Sequence, residues 1–274
     1  MRITGVIILL LSFTASPAQT LDVMTYNIRY DNPGDGINQW SSRKEKVYAL
    51  IKKYDPEIFG VQEALHHQLQ DLKANLNAYD YVGVGRDDGK QKGEYSAIFY
   101  KKDRFKVKDS NTFWLSETPS VPGSKNWDAA ITRVATWAVF SDKESGKSFM
   151  VINTHFDHIG KEARAKSAEL LVTQADKLAK STPLIITGDF NCTRDDKPYE
   201  VIVSQKMIPL TDPAPANPPG TFCNFQVNSM DCRAIDYIFS SGEWKYSEYK
   251  VITDNDGSNY PSDHLPVQVT FSLQ

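Results

Sequence analysis

"LIITGDFNCT", residues 184–193, sets an apolar run directly ahead of a carboxylate and a carboxamide. Leu184, Ile185 and Ile186 have the character of a buried strand. The tail Gly188-Asp189-Phe190-Asn191 has two readings. It is a turn, since Gly, Asp and Asn favour turns, or it is a site, because reactive groups often sit where a strand emerges from a sheet. In extended backbone, residues i and i+2 share a face. On the site reading, Asp189 and Asn191 therefore address one water molecule together.

The same arrangement recurs outward along the chain. Asn27 ends "VMTYN", Glu63 ends "IFGVQE", and His155 and Asp157 end "VINTHFD". Asp236 sits in "AIDYIF", and Asp263 and His264 open "SDHLPV". Singly, each has an ordinary explanation as a turn asparagine, a surface histidine or a capping aspartate. Together, Asn27, Glu63 and Asp263 supply hard oxygen ligands suited to magnesium or manganese. His155 and His264 can handle protons near neutral pH. Cysteine and histidine are too few for a structural zinc site. The mixture suits metal-assisted hydrolysis of a phosphate ester.

The surrounding pattern predicts strands at residues 21–30, 79–85, 95–101, 134–141, 148–156, 184–190, 235–240 and 267–272, where β-branched and aromatic residues lie between turn signals. Several are apolar on both faces, as strands covered on both sides are. Apolar spacing at i, i+3, i+4 and i+7 predicts helices over 43–54, 63–76 and 161–180. Interleaved strands and helices imply an α/β sandwich. Nothing splits the chain, and the proline-rich "TDPAPANPPG" (211–220) reads as a surface loop. Two long irregular stretches, 31–42 and 111–132, carry Trp40, Trp114 and Trp127, and such loops often bind ligands.

At 274 residues, 41% apolar and 24% charged, the chain has the make-up of a globular protein with a sizeable core. Its net charge of −3 lacks the basic footprint of a protein that grips long nucleic acid non-specifically. Residues 1–19 read as a secretory signal peptide: Arg2, an apolar run from Ile3 to Leu11, then Ser16-Pro17-Ala18 as a small-x-small cleavage pattern. The competing readings are a membrane anchor, for which the run is short, and a buried first strand. Export to a periplasmic or extracellular space is the expectation, with no membrane insertion after cleavage and a monomeric catalytic domain over 20–274. Cys223 and Cys232 then form a disulfide across a loop and leave Cys192 free, or all three are reduced thiols.

The ordered stations "TYNIRYD", "GVQEA", "GEYSAIFY", "TRVATWA", "NTHFDH", "TGDFN", "AIDYIF" and "SDHLPV" resemble the endonuclease/exonuclease/phosphatase family, which includes deoxyribonuclease I. The resemblance runs from about Leu21 to Leu273. It implies a four-layer α/β sandwich with two central mixed β-sheets flanked by helices. By motif, Glu63 resembles the principal metal-binding glutamate, with Asn27 and Asp263 beside it. Asp189 and Asn191 resemble the pair that orients or deprotonates the attacking water. His264 resembles the histidine on the scissile phosphate, with Asp236 orienting it. His155 resembles the histidine near the leaving group, with Glu94 as its acidic partner, and Arg133 resembles a phosphate-binding arginine. Asp157 and His158 stand beside His155 as subfamily substrate contacts or as a plain helix start.

Two features sit outside the pattern. Cys192 follows "GDFN" and opens the question of redox sensitivity, and Asn191-Cys192-Thr193 fits a glycosylation sequon that would block the site. The leading functional expectation is a phosphodiesterase acting on nucleic acid or nucleotides with Mg2+ or Mn2+, with Trp114 and Trp127 either stacking bases or packing loops. A sphingomyelinase-like or inositol-phosphate phosphatase activity is the second expectation, and an inactive binding module on the same scaffold the third.

Overall fold

Polar groups at scattered strand ends form a site only if the strands run so that those ends meet. The computed structural model describes residues 20–273, so the expected signal peptide lies outside the described residues. Among the described residues, no helix is long and apolar enough to cross a membrane.

The strands are β1 (Thr20–Asn27), β2 (Ile58–Ala64), β3 (Tyr79–Val82), β4 (Tyr95–Lys101), β5 (Phe105–Trp114), β6 (Val134–Asp142), β7 (Ser148–His155), β8 (Leu184–Asp189), β9 (Leu210–Thr211), β10 (Asp236–Ser241), β11 (Trp244–Val251) and β12 (Val267–Leu273). The helices are α1 (Trp40–Tyr54), α2 (His66–Asn75), α3 (Lys161–Ala179) and α4 (Lys197–Ser204). One six-stranded sheet has the order β11-β12-β1-β2-β4-β3 and the other β5-β6-β7-β8-β10-β9. Val23, Ile58, Ile98, Phe140, Val151, Ile185 and Ile238 fill the space between the sheets. The outer face of the first sheet packs on α1 and α2 through Met24, Phe59, Val47, Ile51 and Leu72. The outer face of the second packs on α3 and α4 through Ile152, Ile186, Leu171 and Ile202. The result is the expected four-layer sandwich.

β8 shows why its sequence is apolar throughout. Ile185 points between the sheets while Leu184 and Ile186 point toward the helices, so both faces are buried. One buried polar seam joins the sheets. Asn153 on β7 donates through Nδ2 to the carbonyls of Val61 and Ala97, each at 2.9 Å, and accepts from Gln62 Nε2 at 2.6 Å. Gly60 makes room for it, since a Cβ there would stand 2.4 Å from Asn153 Oδ1.

Strand direction then gathers the site. β1 runs parallel to β2, and β7 parallel to β8, so Asn27, Glu63, His155 and Asp189 emerge from carboxyl ends. Their antiparallel neighbours start where these end. β4 follows Glu94, β6 follows Arg133, β10 opens with Asp236 directly opposite Asp189, and β12 follows Asp263 and His264.

The elements differ from expectation in several places: β2 and β9 lie outside the predicted strands, and α4 lies outside the predicted helices. The stretch predicted as a helix from residue 63 is the end of β2 followed by α2, and Glu63 belongs to the strand. β5 and β11 went unpredicted because their middles are polar and exposed, which hides the apolar pattern. The irregular stretch at 111–132 therefore begins inside β5, and α1 starts at Trp40 within the other one.

Candidate active site

The last turn of β2 re-aims Glu63. Its pairing with β4 slips between Val61 and Ala64, and Glu63 has φ 64°, in the left-handed region. A bulge of this kind turns a side chain out of the pleat. The backbone cost of about 1–2 kcal/mol is the kind of strain that gathers at functional positions. Glu63 Oε1 accepts from Asn27 Nδ2 at 3.1 Å and Oε2 from the Tyr30 N–H at 3.2 Å. Asn27 Nδ2 also donates to Asp189 Oδ2 at 3.0 Å, while Asn27 Oδ1 accepts from the Arg29 N–H at 3.0 Å. The expected oxygen ligand thus turns its nitrogen to the carboxylates and clamps Glu63 and Asp189 together across the two sheets.

"GDFN" turns out to be both a turn and a site component. β8 stops at Asp189, and Asn191 has φ 48° in place of the extended geometry expected through it. The Asn191 N–H donates to Asp189 Oδ1 at 2.9 Å, an Asx-type turn. Asn191 Nδ2 meets His155 Nε2 at 3.0 Å and donates to the Phe156 carbonyl at 3.1 Å. A glycan on that nitrogen would destroy both contacts. Asp189 is buried, 1% exposed, and burial raises its pKa, as does Asp236 nearby, with His264 opposing.

The two histidines are shifted in opposite directions. His264 Nδ1 donates to Asp236 Oδ2 at 2.9 Å, and its Nε2 stands 3.6 Å from Asp189 Oδ2. Burial alone would lower its pKa, but the Asp236 and Asp189 carboxylates push it up to about 10. Thr221 Oγ donates to the same Asp236 oxygen at 2.6 Å and fixes its orientation. His155 goes the other way: burial, with Arg133 and His264 nearby, holds it well below the ordinary imidazole value. Its Nε2 lies 3.2 Å from Asp189 Oδ2. Glu94 is not its hydrogen-bond partner. The Glu94 carboxylate accepts from Arg86 Nη1 at 2.6 Å, so the expected His155–Glu94 pair is replaced by His155–Asn191–Asp189.

Arg133 is buried, with Nη2 3.2 Å from His158 Nδ1, and both line the central cleft. Asp157 does not line it. Its carboxylate accepts from the N–H groups of Ala130, Ile131, Ile159 and Gly160 at 2.7–3.2 Å, so it ties two loops together beneath Arg133. The tryptophans are not offered to a ligand either. Trp114 is 4% exposed and donates its indole N–H to the Arg86 carbonyl, Trp40 is 2% exposed and donates to Asp71, and the half-buried Trp127 is not part of the cleft wall. Cleft residues that the sequence reading did not single out include Arg29, Arg86, Phe222, Asn224 and Arg233. Arg29 lies in "YNIRYD" two residues after Asn27, a signal within reach. The others sit in loops with no periodicity to mark them.

The cleft encloses about 600 Å³ and brings together Glu63, Glu94, Asp189, Asp263, His155 and His264. Its donor chemistry fits a divalent cation held by Glu63 and Asp263. Both are carboxylates with hard oxygens, Asp263 buried and Glu63 half-buried, and burial raises the Asp263 pKa, aided by the charge of Glu63. Asp189, Asp236 and His264 also lie close enough to share an ion. Both nitrogens of that histidine face carboxylates, however, Nδ1 at 2.9 Å from Asp236 Oδ2 and Nε2 at 3.6 Å from Asp189 Oδ2, and those charges favour its protonated form, whereas a metal-bound imidazole must offer a bare lone pair. We therefore assign this trio to proton handling.

Residues 24–264 match the model of the Endonuclease/Exonuclease/phosphatase family. Among solved structures, an endonuclease/exonuclease/phosphatase from Bacteroides vulgatus is 42% identical, with a TM-score of 0.89 over 93% of this chain and 100% of that one. A mannosyl-6-phosphatase from Bacteroides thetaiotaomicron is also 42% identical, with a TM-score of 0.86 over 92% and 100% of the two chains. Human nocturnin is 26% identical over 92% of this chain and 65% of its own length. Enzymes of this family are phosphoester hydrolases that in general depend on a divalent metal. With the match spanning nearly the whole described chain, and its motif residues gathered in one cleft, the protein belongs to the endonuclease/exonuclease/phosphatase family and is a phosphoester hydrolase.

Proposed function

We propose that this enzyme is a divalent-metal-dependent phosphomonoesterase acting on a compact, polar phosphate ester such as a sugar phosphate. The observation that carries the reading is the cleft. At about 600 Å³ it has the size of a small-molecule site, and Arg29, Arg86 and Arg133 line it together with His158. Several guanidiniums in one small space match the higher charge of a terminal phosphate better than a singly charged diester. The buried tryptophans and the net charge of −3 weigh against a strand-binding groove. The similarity to a mannosyl-6-phosphatase supports the same substrate class.

In this reading Asp189, positioned by Asn27 and the Asn191 N–H, orients the attacking water and accepts its proton as the water oxygen bonds to phosphorus; the P–O bond to the alcohol breaks, and the departing oxygen takes a proton from solvent. His264, kept protonated by Asp236, donates its Nε2–H to a phosphoryl oxygen. Arg133 and Arg86 hold the remaining oxygens. Glu63 and Asp263 would hold a magnesium or manganese ion, which would supply charge neutralisation at the phosphate. Export is part of the proposal, supported by the Cys223–Cys232 disulfide, which suits an oxidising compartment.

Phe222 on the cleft wall favours one second reading, hydrolysis of a nucleotide ester, because its ring can meet a base. The deciding experiment measures kcat/KM with Mg2+, Mn2+ and chelator on mannose 6-phosphate, a nucleoside monophosphate, bis(p-nitrophenyl) phosphate and single-stranded RNA. The proposal expects the sugar monoester to lead. A lead for RNA or the diester overturns it.

A further inference from the structure

The connection between β9 and β10 forms one wall of the cleft, and it is built unlike the other walls. Cys223 and Cys232 are joined by a disulfide across nine positions. The residues flanking the bridge, Phe222, Asn224 and Arg233, reach the cleft, as does Ile235 at the end of the connection. Phe222 and Arg233 pair as an isolated antiparallel bridge, and the Arg233 guanidinium lies over the Phe222 ring, 5.4 Å from its centroid. The other neighbour of Phe222 is catalytic: its ring centroid is 4.9 Å from that of His264.

The wall is fastened to the chemistry at several points. The N–H groups of Cys223 and Asn224 donate to the Asp263 carbonyl at 2.9 and 3.0 Å. Thr221, next to Phe222, holds Asp236. Beneath the wall, Cys223, Tyr260 and Leu265 form a small separate core with Cys232 and Val227 packed on it. Gly220 is required at its base, since a Cβ there would stand 2.4 Å from the Cys232 backbone. Asn224 and Phe225 adopt φ of 51° and 66°. A chain held this firmly, in strained backbone, around three cleft residues is organised to position them.

We propose that this disulfide-pinned wall is the leaving-group subsite and determines specificity for a ring-bearing alcohol. The inference rests on the small-ester reading above and names the part of the substrate that the phosphate residues do not read. An apolar face of the ring packs on Phe222 and the guanidinium laid over it. The hydroxyls bond to Arg233 and Asn224, which both line the cleft. The arrangement suits a pyranose, which combines C–H faces with a hydroxyl rim. The disulfide acts through Phe222 and Arg233 as a positioning element and touches no substrate.

The test compares kcat/KM for mannose 6-phosphate with that for the acyclic ester glycerol 3-phosphate, in the wild type and in Phe222→Ala, Phe222→Tyr, Arg233→Ala and the double variant Cys223→Ser/Cys232→Ser. Phe222→Ala and Arg233→Ala should each lower the ring-to-acyclic ratio by about tenfold, and Phe222→Tyr should restore it. The double cysteine variant should raise KM for the sugar ester more than it lowers kcat. A ratio unchanged within about twofold in both alanine variants overturns the proposal, because a merely structural wall would depress both substrates alike. Saturation-transfer NMR with free mannose and free adenosine separates this inference from the reading beneath it. If the wild type hydrolyses neither monoester, the proposed reaction fails. The subsite still stands if either cyclic alcohol receives transfer that Phe222→Ala abolishes, and it falls if neither does.

Discussion

Glu94 gives its carboxylate to Arg86, 2.6 Å from Nη1, and leaves His155 to Asn191 and Asp189. Both partners are nearly buried, at 14% and 13% exposure of the side chains. Burial raises the Glu94 pKa, and Arg86 is the strongest opposing charge. Arg86→Gln should therefore strand a buried carboxylate and destabilise the protein by about 3 kcal/mol. Urea unfolding at neutral pH measures this. A loss below about 1 kcal/mol would mean that the pair behaves as a surface ion pair.

Glu63 and Asp263 are expected to bind the cation, and that binding is visible without turnover. At a hundred times its dissociation constant, Mg2+ or Mn2+ should stabilise the fold by about 2.7 kcal/mol. Thermal unfolding with the metal and with chelator reads the difference. Glu63→Gln should abolish the metal-induced shift in Tm. A variant that keeps the full shift places the cation elsewhere.

Asp189→Asn should reduce kcat by about 10²–10⁴-fold with the fold intact: the amide oxygen can keep the Asn191 N–H bond of Oδ1, while the Asn27 Nδ2 contact of Oδ2 is lost where the amide nitrogen stands. Circular dichroism and steady-state kinetics on the same preparation check both halves. Near-normal turnover would remove Asp189 from proton transfer.

Asp157 is a pH probe away from the cation ligands. Burial alone would raise its pKa, but four backbone N–H groups overrule that and hold it below the ordinary carboxylate value. A depressed folded-state pKa contributes stability that is present above the unfolded value of about 3.9 and is lost as pH falls through the folded value. Asp157→Ala should cost about 2 kcal/mol at pH 7, and the gap to wild type should shrink on acidification below the unfolded value. A gap that stays constant with pH would assign the loss to packing alone.

Cys192 is buried, and burial, with Asp196 nearby, pushes its thiol up to about 12. It should resist a thiol reagent in the native protein and react only after denaturation, as one thiol per chain. Rapid native labelling would reopen a redox role.

The ingredients of this enzyme are local, and locally they can be read. Leu184–Ile186 announces a strand with two covered faces, and "GDFN", "GVQE" and "SDH" announce polar groups where strands end, because apolar runs and turn residues are short-range signals. Asn27, Glu63, Asp189, Asp236, Asp263, His155 and His264 were all identifiable in this way. Their partners were not. That Asn27 turns its nitrogen toward two carboxylates, that Arg86 takes Glu94 from His155, and that Asp157 is used up by four amides follows from how loops cross above two sheets. Such contacts span up to 162 positions, as between Asn27 and Asp189. Arg86, Phe222 and Arg233 carry no pattern in their own neighbourhoods, since a loop residue gains its role from the wall it is folded against. Linear order could nominate the reactive side chains, but only strand direction and loop closure could assign each its neighbour, because charge and hydrogen bonding act across space and not along the chain.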